Sequence, residues 1–549
     1  MENKKNDSLN IGKKSNKKIY VEPIITISLS LLFAFIVLMS IQSIMGTKTT
    51  TITNNKAEEY YYDGNYDEAI NEYMTMQKDD EWPIWTARAA GIYSIQGDIT
   101  KSNSLLKEAI VKRDKLMLEG GDEYLEQDKE LINEVVFTFY MNNELEQAES
   151  LGEYYLEAYS TYKPLLKTMF AVYLANDQKD LAKGIVESYP VDKDSAYDLA
   201  TLAKMQIIIN DYDNGLENLR LSYEMDKNEI KIYDVIMEAC QFDKEKLLKE
   251  ITKLSEENPK VEAYKTWIDI INSFDESNID FSENVINEIK SNINTEELEE
   301  DSYVDLYIKA LDSYSKGQYD KAKEFANKVI VANNQYENTY GVLMPNILIS
   351  TESSDKIEGY IRTAIFNEPY NYNLLVNIAR LYENKLANLD EAKYYYDFAL
   401  ALNKSNGKLY YDLALLNLDM ENVDEAILAL NKAISIDEDN GDYYRALGTI
   451  YYNEKEYDKA IESIRKAYSL NEKDVLALNN AACYYITVDK DVWRAYSNIE
   501  SAYNDMPSSL DSASKELITN NYNAIKKVYD KYVNDENITV DVQGLKLSY

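Results

Sequence analysis

Histidine, cysteine and carboxylate side chains are where catalysis would begin, and this chain offers little to work with. It has no histidine, which removes imidazole bases, Ser-His and Cys-His nucleophiles and histidine-ligated zinc. Its only thiols are Cys240 and Cys483, with no Cys-x-x-Cys pair, so structural zinc and dithiol redox chemistry are not expected. Neither Gly-x-x-x-x-Gly-Lys-[Ser/Thr] nor Gly-x-Gly-x-x-Gly occurs to cradle a phosphate. Carboxylates are abundant but unspecific. The run Asp437-Glu438-Asp439-Asn440-Gly441-Asp442 hints at calcium, yet it lacks the calcium-loop spacing and falls where a turn is due. The expectation is a protein that is not an enzyme and needs no cofactor or metal.

The chemistry that remains is recognition. Asn373, Arg380, Asn384, Tyr411, Asp412, Arg445, Tyr452, Asn453 and Asn479 fall off the apolar stripe of their helices. Arg, Tyr and Asn are suited to a peptide backbone or an interface core. Arg380 and Arg445 stand out because Arg is scarce.

These side chains depend on helices that repeat. Tyr444, Leu447, Gly448 and Tyr451 are followed by Ala460, Ile464 and Ala467. One period of 34 residues earlier stand Tyr410, Leu413, Ala414, Ala426, Leu430 and Ala433. One period later come Leu478, Ala481, Ala482 and Tyr485, with Ile499 and Ala502 displaced by one residue. Two antiparallel helices and their turns fill such a period, and neither buries its apolar face alone. The turns read Asn388-Leu389-Asp390-Glu391-Ala392, Asn422-Val423-Asp424-Glu425-Ala426 and Glu456-Tyr457-Asp458-Lys459-Ala460. Asp and Asn there suit the free N–H groups of a helix start.

The pattern resembles the tetratricopeptide repeat, strongly from residue 372 to 507 and loosely back to 57. The resemblance implies an all-α, right-handed helical-repeat solenoid, preceded here by one transmembrane helix. It also implies that first helices line a concave face where peptides bind, which is where the recognition residues above would lie. Members that grip a carboxylate terminus use a Lys/Asn/Arg cluster on that face. The positions read here as matching it are Val376, Arg380, Asp412, Asp442 and Ala446, a poor carboxylate clamp, so neutral or basic partner segments are expected.

Residues 24–45 carry no charge and would span about 33 Å as a helix. Six lysines precede the span, and only Lys48 and Lys56 follow closely. The positive-inside rule then leaves the N-terminus in the cytoplasm and the repeats outside the cell membrane. With the six lysines and three acids of residues 1–22 set aside, 52 basic and 93 acidic residues remain, a net charge of −41. That excludes nucleic acid as an expected partner. Few arginines among many Lys, Asn, Ile and Tyr suit a bacterial, AT-rich genome.

The expected organisation is a basic segment 1–22, a membrane helix 23–46, a spacer 47–56 and a degenerate array 57–275. An acidic connector 276–302, a second array 303–507, a capping helix 508–533 and a tail 534–549 follow. The tail alternates briefly at Ile538, Val540 and Val542 and reads as a frayed terminus, with a docking arm as the alternative. In an open rod whose repeats touch only neighbours, Cys240 and Cys483 would be separate buried fillers. The functional expectation is a membrane-anchored scaffold or adaptor for envelope proteins. A cytoplasm-facing recruitment adaptor, or a ligand sensor relaying through the N-terminal segment, are the alternatives. Oligomeric state is not legible.

Overall fold

The computed structural model describes residues 55–120, 124–273, 292–535 and 539–549. The expected membrane helix 23–46 and most of the acidic connector lie outside these. Among the described residues no helix is long and apolar enough to cross a membrane, and there is no strand.

The described chain is an all-helical repeat solenoid. Its pairs include Gly407–Asp419 with Val423–Ile436, Gly441–Asn453 with Tyr457–Leu470, and Val475–Tyr484 with Val492–Asn504. The starts are capped as the turn residues predict. Asn406 accepts from the Leu409 N–H, Asp474 from those of Leu476 and Ala477, and Asp491 from that of Arg494. Small residues set the spacing inside a pair. A Cβ on Gly448 would lie 2.8 Å from Ile464 Cγ1 and 3.2 Å from the Ala460 oxygen.

Most first helices close with one residue in the left-handed region, the exception being Ile230–Glu257, where the chain turns at an extended Asp243. Gly64, Gly97, Asn143, Asp177, Asn210, Gly317, Glu352, Ala387, Glu421, Lys455 and Lys490 mark these turns. Their backbone N–H bonds run back into the helix, as from Lys455 to the Tyr452 oxygen and Glu456 to the Tyr451 oxygen. The one-residue displacement at Ile499 and Ala502 also has a local cause. The extra residue is absorbed in a π-turn at Tyr485–Asp489, and a second such turn sits at Tyr382–Leu386.

The open-rod expectation needs correction. The first helices of the N-terminal array face residues 336–404 of the same chain, and their concave side is filled. Tyr62 Oη lies 3.1 Å from Thr363 Oγ1, Arg362 donates to Thr138 Oγ1 at 2.6 Å, and Tyr140 Oη donates to the Pro369 oxygen at 3.0 Å. Phe170 and Tyr370 meet edge to face at 5.1 Å. Repeats far apart in sequence therefore share one core.

A buried ionic cluster lies at this junction. Lys204 pairs with Glu238 at 2.5 Å and Glu368 at 2.6 Å; Lys231 pairs with Glu337 at 2.5 Å and Glu368 at 2.9 Å. Among the described residues these three glutamates alone have the spacing of a metal site. Two ammonium groups already sit on them, so the arrangement holds the fold together and leaves no evident seat for an ion.

The last helix, Ser512–Tyr532, starts at Asp511 and buries Ile518 and Ile525. Tyr529 stacks on Tyr496 at 3.8 Å and Tyr522 on Tyr503 at 4.3 Å. The segment after it, expected to fray, instead docks.

Candidate binding groove

With the N-terminal concave side filled, a concave face remains on the repeats from Gly407 onward. Its walls are Gly441–Asn453, Val475–Tyr484 and Ser512–Tyr532, and residues 539–549 lie in it. Lys546 and Ser548, two residues apart, both present main-chain groups to the walls, which is the period-two geometry of an extended chain.

Asparagine amides do the holding. Asn521 donates to the Lys546 oxygen at 2.7 Å and accepts from the Lys546 N–H at 3.2 Å. Asn480 donates to the Ser548 oxygen at 2.7 Å and accepts from the Ser548 N–H at 2.8 Å. Thr449 Oγ1 donates to the Ser548 oxygen at 2.7 Å, and Arg445 Nε to the Tyr549 oxygen at 3.2 Å. Asn479 reaches the Lys546 oxygen at 3.3 Å and also accepts from Asn521 at 2.8 Å. A carboxamide carries a donor and an acceptor side by side and so matches the N–H and C=O of one extended residue. Such contacts read backbone conformation. Side-chain choice is left to apolar contacts: Val540, Val542, Leu545 and Leu547 are half-buried against the core of the last repeats.

Cys483 lies on the floor. Its thiol is fully buried and lies 3.7 Å from the Lys546 oxygen, and burial pushes it up to about 12. Cys240 is buried elsewhere, and neither cysteine forms a disulfide.

The structure distributes the expected recognition residues unevenly. Arg445, Asn453 and Asn479 line the occupied groove; Asn453 donates to Tyr549 Oη at 3.1 Å. Arg445 is anchored by Asp442 and Asp474, both at 2.6 Å. Tyr452 shares a hydrogen bond of 2.7 Å with Thr487. Tyr411 is half-buried with its ring 5.6 Å from that of Tyr443. Arg380 pairs with Asp412 at 2.9 Å. Asn384 is exposed in the π-turn. Asn373 is not open to a partner: it is buried and donates to the Glu238 oxygen at 2.8 Å. Sequence reasoning missed Thr449, Asn480 and Asn521. The usable signal was a pair of adjacent asparagines, Asn479-Asn480, inside an otherwise apolar helix.

Comparison with known proteins agrees with the repeat reading. Tetratricopeptide repeat family models match residues 407–440 and 441–474. Among solved structures, a chain of the APC/C hetero-tetramer Cut9–Hcn1 is 13% identical, over 85% of this chain and 95% of that one, with a TM-score of 0.35. PilF of Pseudomonas aeruginosa is 16% identical, over 41% and 97%, with a TM-score of 0.30. YrrB, described as a TPR protein with an unusual peptide-binding site, is 20% identical, over 34% and 93%, with a TM-score of 0.27. No curated protein sequence matches significantly.

Proposed function

We propose that this chain is a non-enzymatic scaffold that holds an extended segment of a partner protein in the groove formed by residues 441–532. The observation that carries this reading is the seating of residues 545–549, whose backbone is gripped from both walls by Asn480 and Asn521. Tetratricopeptide repeat proteins generally mediate protein–protein interaction, and the matched repeats supply one wall here. The uncharged run 24–45 and the lysine bias before it support tethering at the cell membrane, with the repeats on the extracytoplasmic side. Tethering raises local concentration, so modest contacts suffice for assembly.

The test is crosslinking of the full chain in intact cells with a membrane-impermeant reagent, run beside Asn480→Ala/Asn521→Ala. The expected result is an adduct with an envelope protein whose crosslinked peptides map to the groove, lost in the variant. Adducts only with a permeant reagent would overturn the sidedness, and adducts unchanged in the variant would overturn the groove.

A further inference from the structure

We infer that residues 539–549 are a built-in competitor for the groove, and that the partner is an unstructured segment repeating their chemistry. This rests on the groove reading proposed above. Three features of the segment carry it.

First, the segment is held as a ligand is held, with no secondary structure of its own. Apart from a bond from Ser548 Oγ to the Tyr549 oxygen, its main-chain bonds go to side chains of other elements, and its apolar residues are half-buried, not sealed in. Asp541, Gln543, Gly544 and Lys546 are exposed. Gly544 has φ of +77° with no atom within 4 Å of a built Cβ, a free pivot on which Leu545–Tyr549 can leave. Second, the floor beneath it is polar and finished. Asn479, Asn480 and Asn521 are buried yet aim donors and acceptors at the segment. Core-facing repeat positions would be apolar if packing were their only task. Third, the seated residues indicate the occupant's chemistry, since none of Leu545–Tyr549 has an acidic side chain. Asp442 and Asp474 flank the groove through Arg445, and Lys546 is the only charged residue in Leu545–Tyr549. The partner segment is therefore extended and neutral or basic. It carries two apolar side chains two residues apart, as Leu545 and Leu547 are.

Tethering gives the resident segment an effective concentration on the order of millimolar. A free segment of equal intrinsic affinity competes only near that level. A productive partner must match the groove better, or be held near it by a second contact.

Cys483 provides the readout, because Lys546 lies over it. In the full chain, Leu545→Asp/Leu547→Asp should release the segment and raise maleimide labelling of Cys483 at least tenfold. Cys240, mapped in the same digest, must stay unlabelled, which excludes unfolding. A synthetic peptide of residues 539–549 should restore protection in this variant, and the same peptide with both leucines changed to Asp should not. It should also bind wild type at least tenfold more weakly than the released chain. Equal peptide affinity for both chains, or fast Cys483 labelling in wild type, would overturn the competitor while leaving the groove standing. Failure of the peptide to protect the released chain would overturn the groove as well. A wild-type dimer that becomes monomeric in the leucine variant would assign the segment to a second copy and overturn competition within one chain.

Discussion

Asn480 and Asn521 hold two residues of an extended chain by their amides alone, and this makes the pair sensitive to a change of one atom. Asn480→Asp keeps the acceptor for the Ser548 N–H but loses the donor to the Ser548 oxygen and to Thr449 Oγ1. The Ser548 oxygen keeps its bond from Thr449 Oγ1, but the new carboxylate oxygen faces it with no donor between them, and a buried unpaired acceptor costs about 1–3 kcal/mol. Asn480→Asp should therefore raise Cys483 labelling in the full chain, while Asp442→Asn, at the exposed rim, should raise it far less. Arg445 and Asn479 were legible because they recur one period apart on the same face. Asn480 was not, since its register neighbour Ala446 is a packing residue and gave no hint of a polar floor. Asn521 was hidden for another reason: its helix reads as a cap with a tyrosine stripe, and which edge of that cap meets the groove is decided in three dimensions.

At the scale of the element, the repeats are joined by turns that require a left-handed residue. The early copies use Gly64 and Gly97, whereas Glu421 and Lys455 carry the same conformation in the most regular repeats. A side chain there is strained relative to glycine. Lys455→Gly should raise stability by roughly 0.5–1 kcal/mol, read as a higher thermal midpoint, with groove binding unchanged. Gly448→Val should do the reverse. Its added atoms meet Ile464 and the Ala460 oxygen, and overpacking costs about 1–3 kcal/mol. These elements were readable from the chain because small residues, caps and aromatic fillers recur in step. The π-turn at Tyr485–Asp489 was visible only as a one-residue displacement, which spacing detects but cannot localise. The docked segment was misread as frayed because its short alternation is broken at Gly544.

At the scale of the molecule, the N-terminal array closes on residues 336–404, and the ionic cluster of Lys204, Lys231, Glu337 and Glu368 lies at the closure. Lys231→Ala strands the buried Glu337 carboxylate, while Glu368 keeps Lys204, and should cost about 3–5 kcal/mol; Lys231→Met/Glu337→Met should cost less. The two glutamates respond to pH in opposite directions. Burial pushes Glu337 up to about 7, and one of its oxygens has no hydrogen-bond partner. Burial also opposes the Glu368 charge, but Lys204, Lys231 and Lys167 outweigh it and hold that carboxyl well below the usual range. A raised carboxyl stabilises the fold below its unfolded value of 4.5, and that stability is lost as pH rises through about 7. A depressed one stabilises the fold above the ordinary glutamate range, and that stability is lost in acid. Wild type should therefore lose stability relative to Glu337→Gln between pH 5 and 8, measured by thermal melts across that range. Nothing in the sequence pattern announced this closure. Sequence repeats predict contacts between neighbours, and a lysine on a concave face reads as solvated until the chain that covers it is placed.

The most direct test of the central claim is fluorescence anisotropy of a labelled 539–549 peptide titrated with the full chain carrying Leu545→Asp/Leu547→Asp. Saturable binding is predicted, weakened at least tenfold when Asn480→Ala/Asn521→Ala is added. Absence of saturation, or equal affinity with and without the two asparagines, would contradict a groove that binds extended peptides through their backbone.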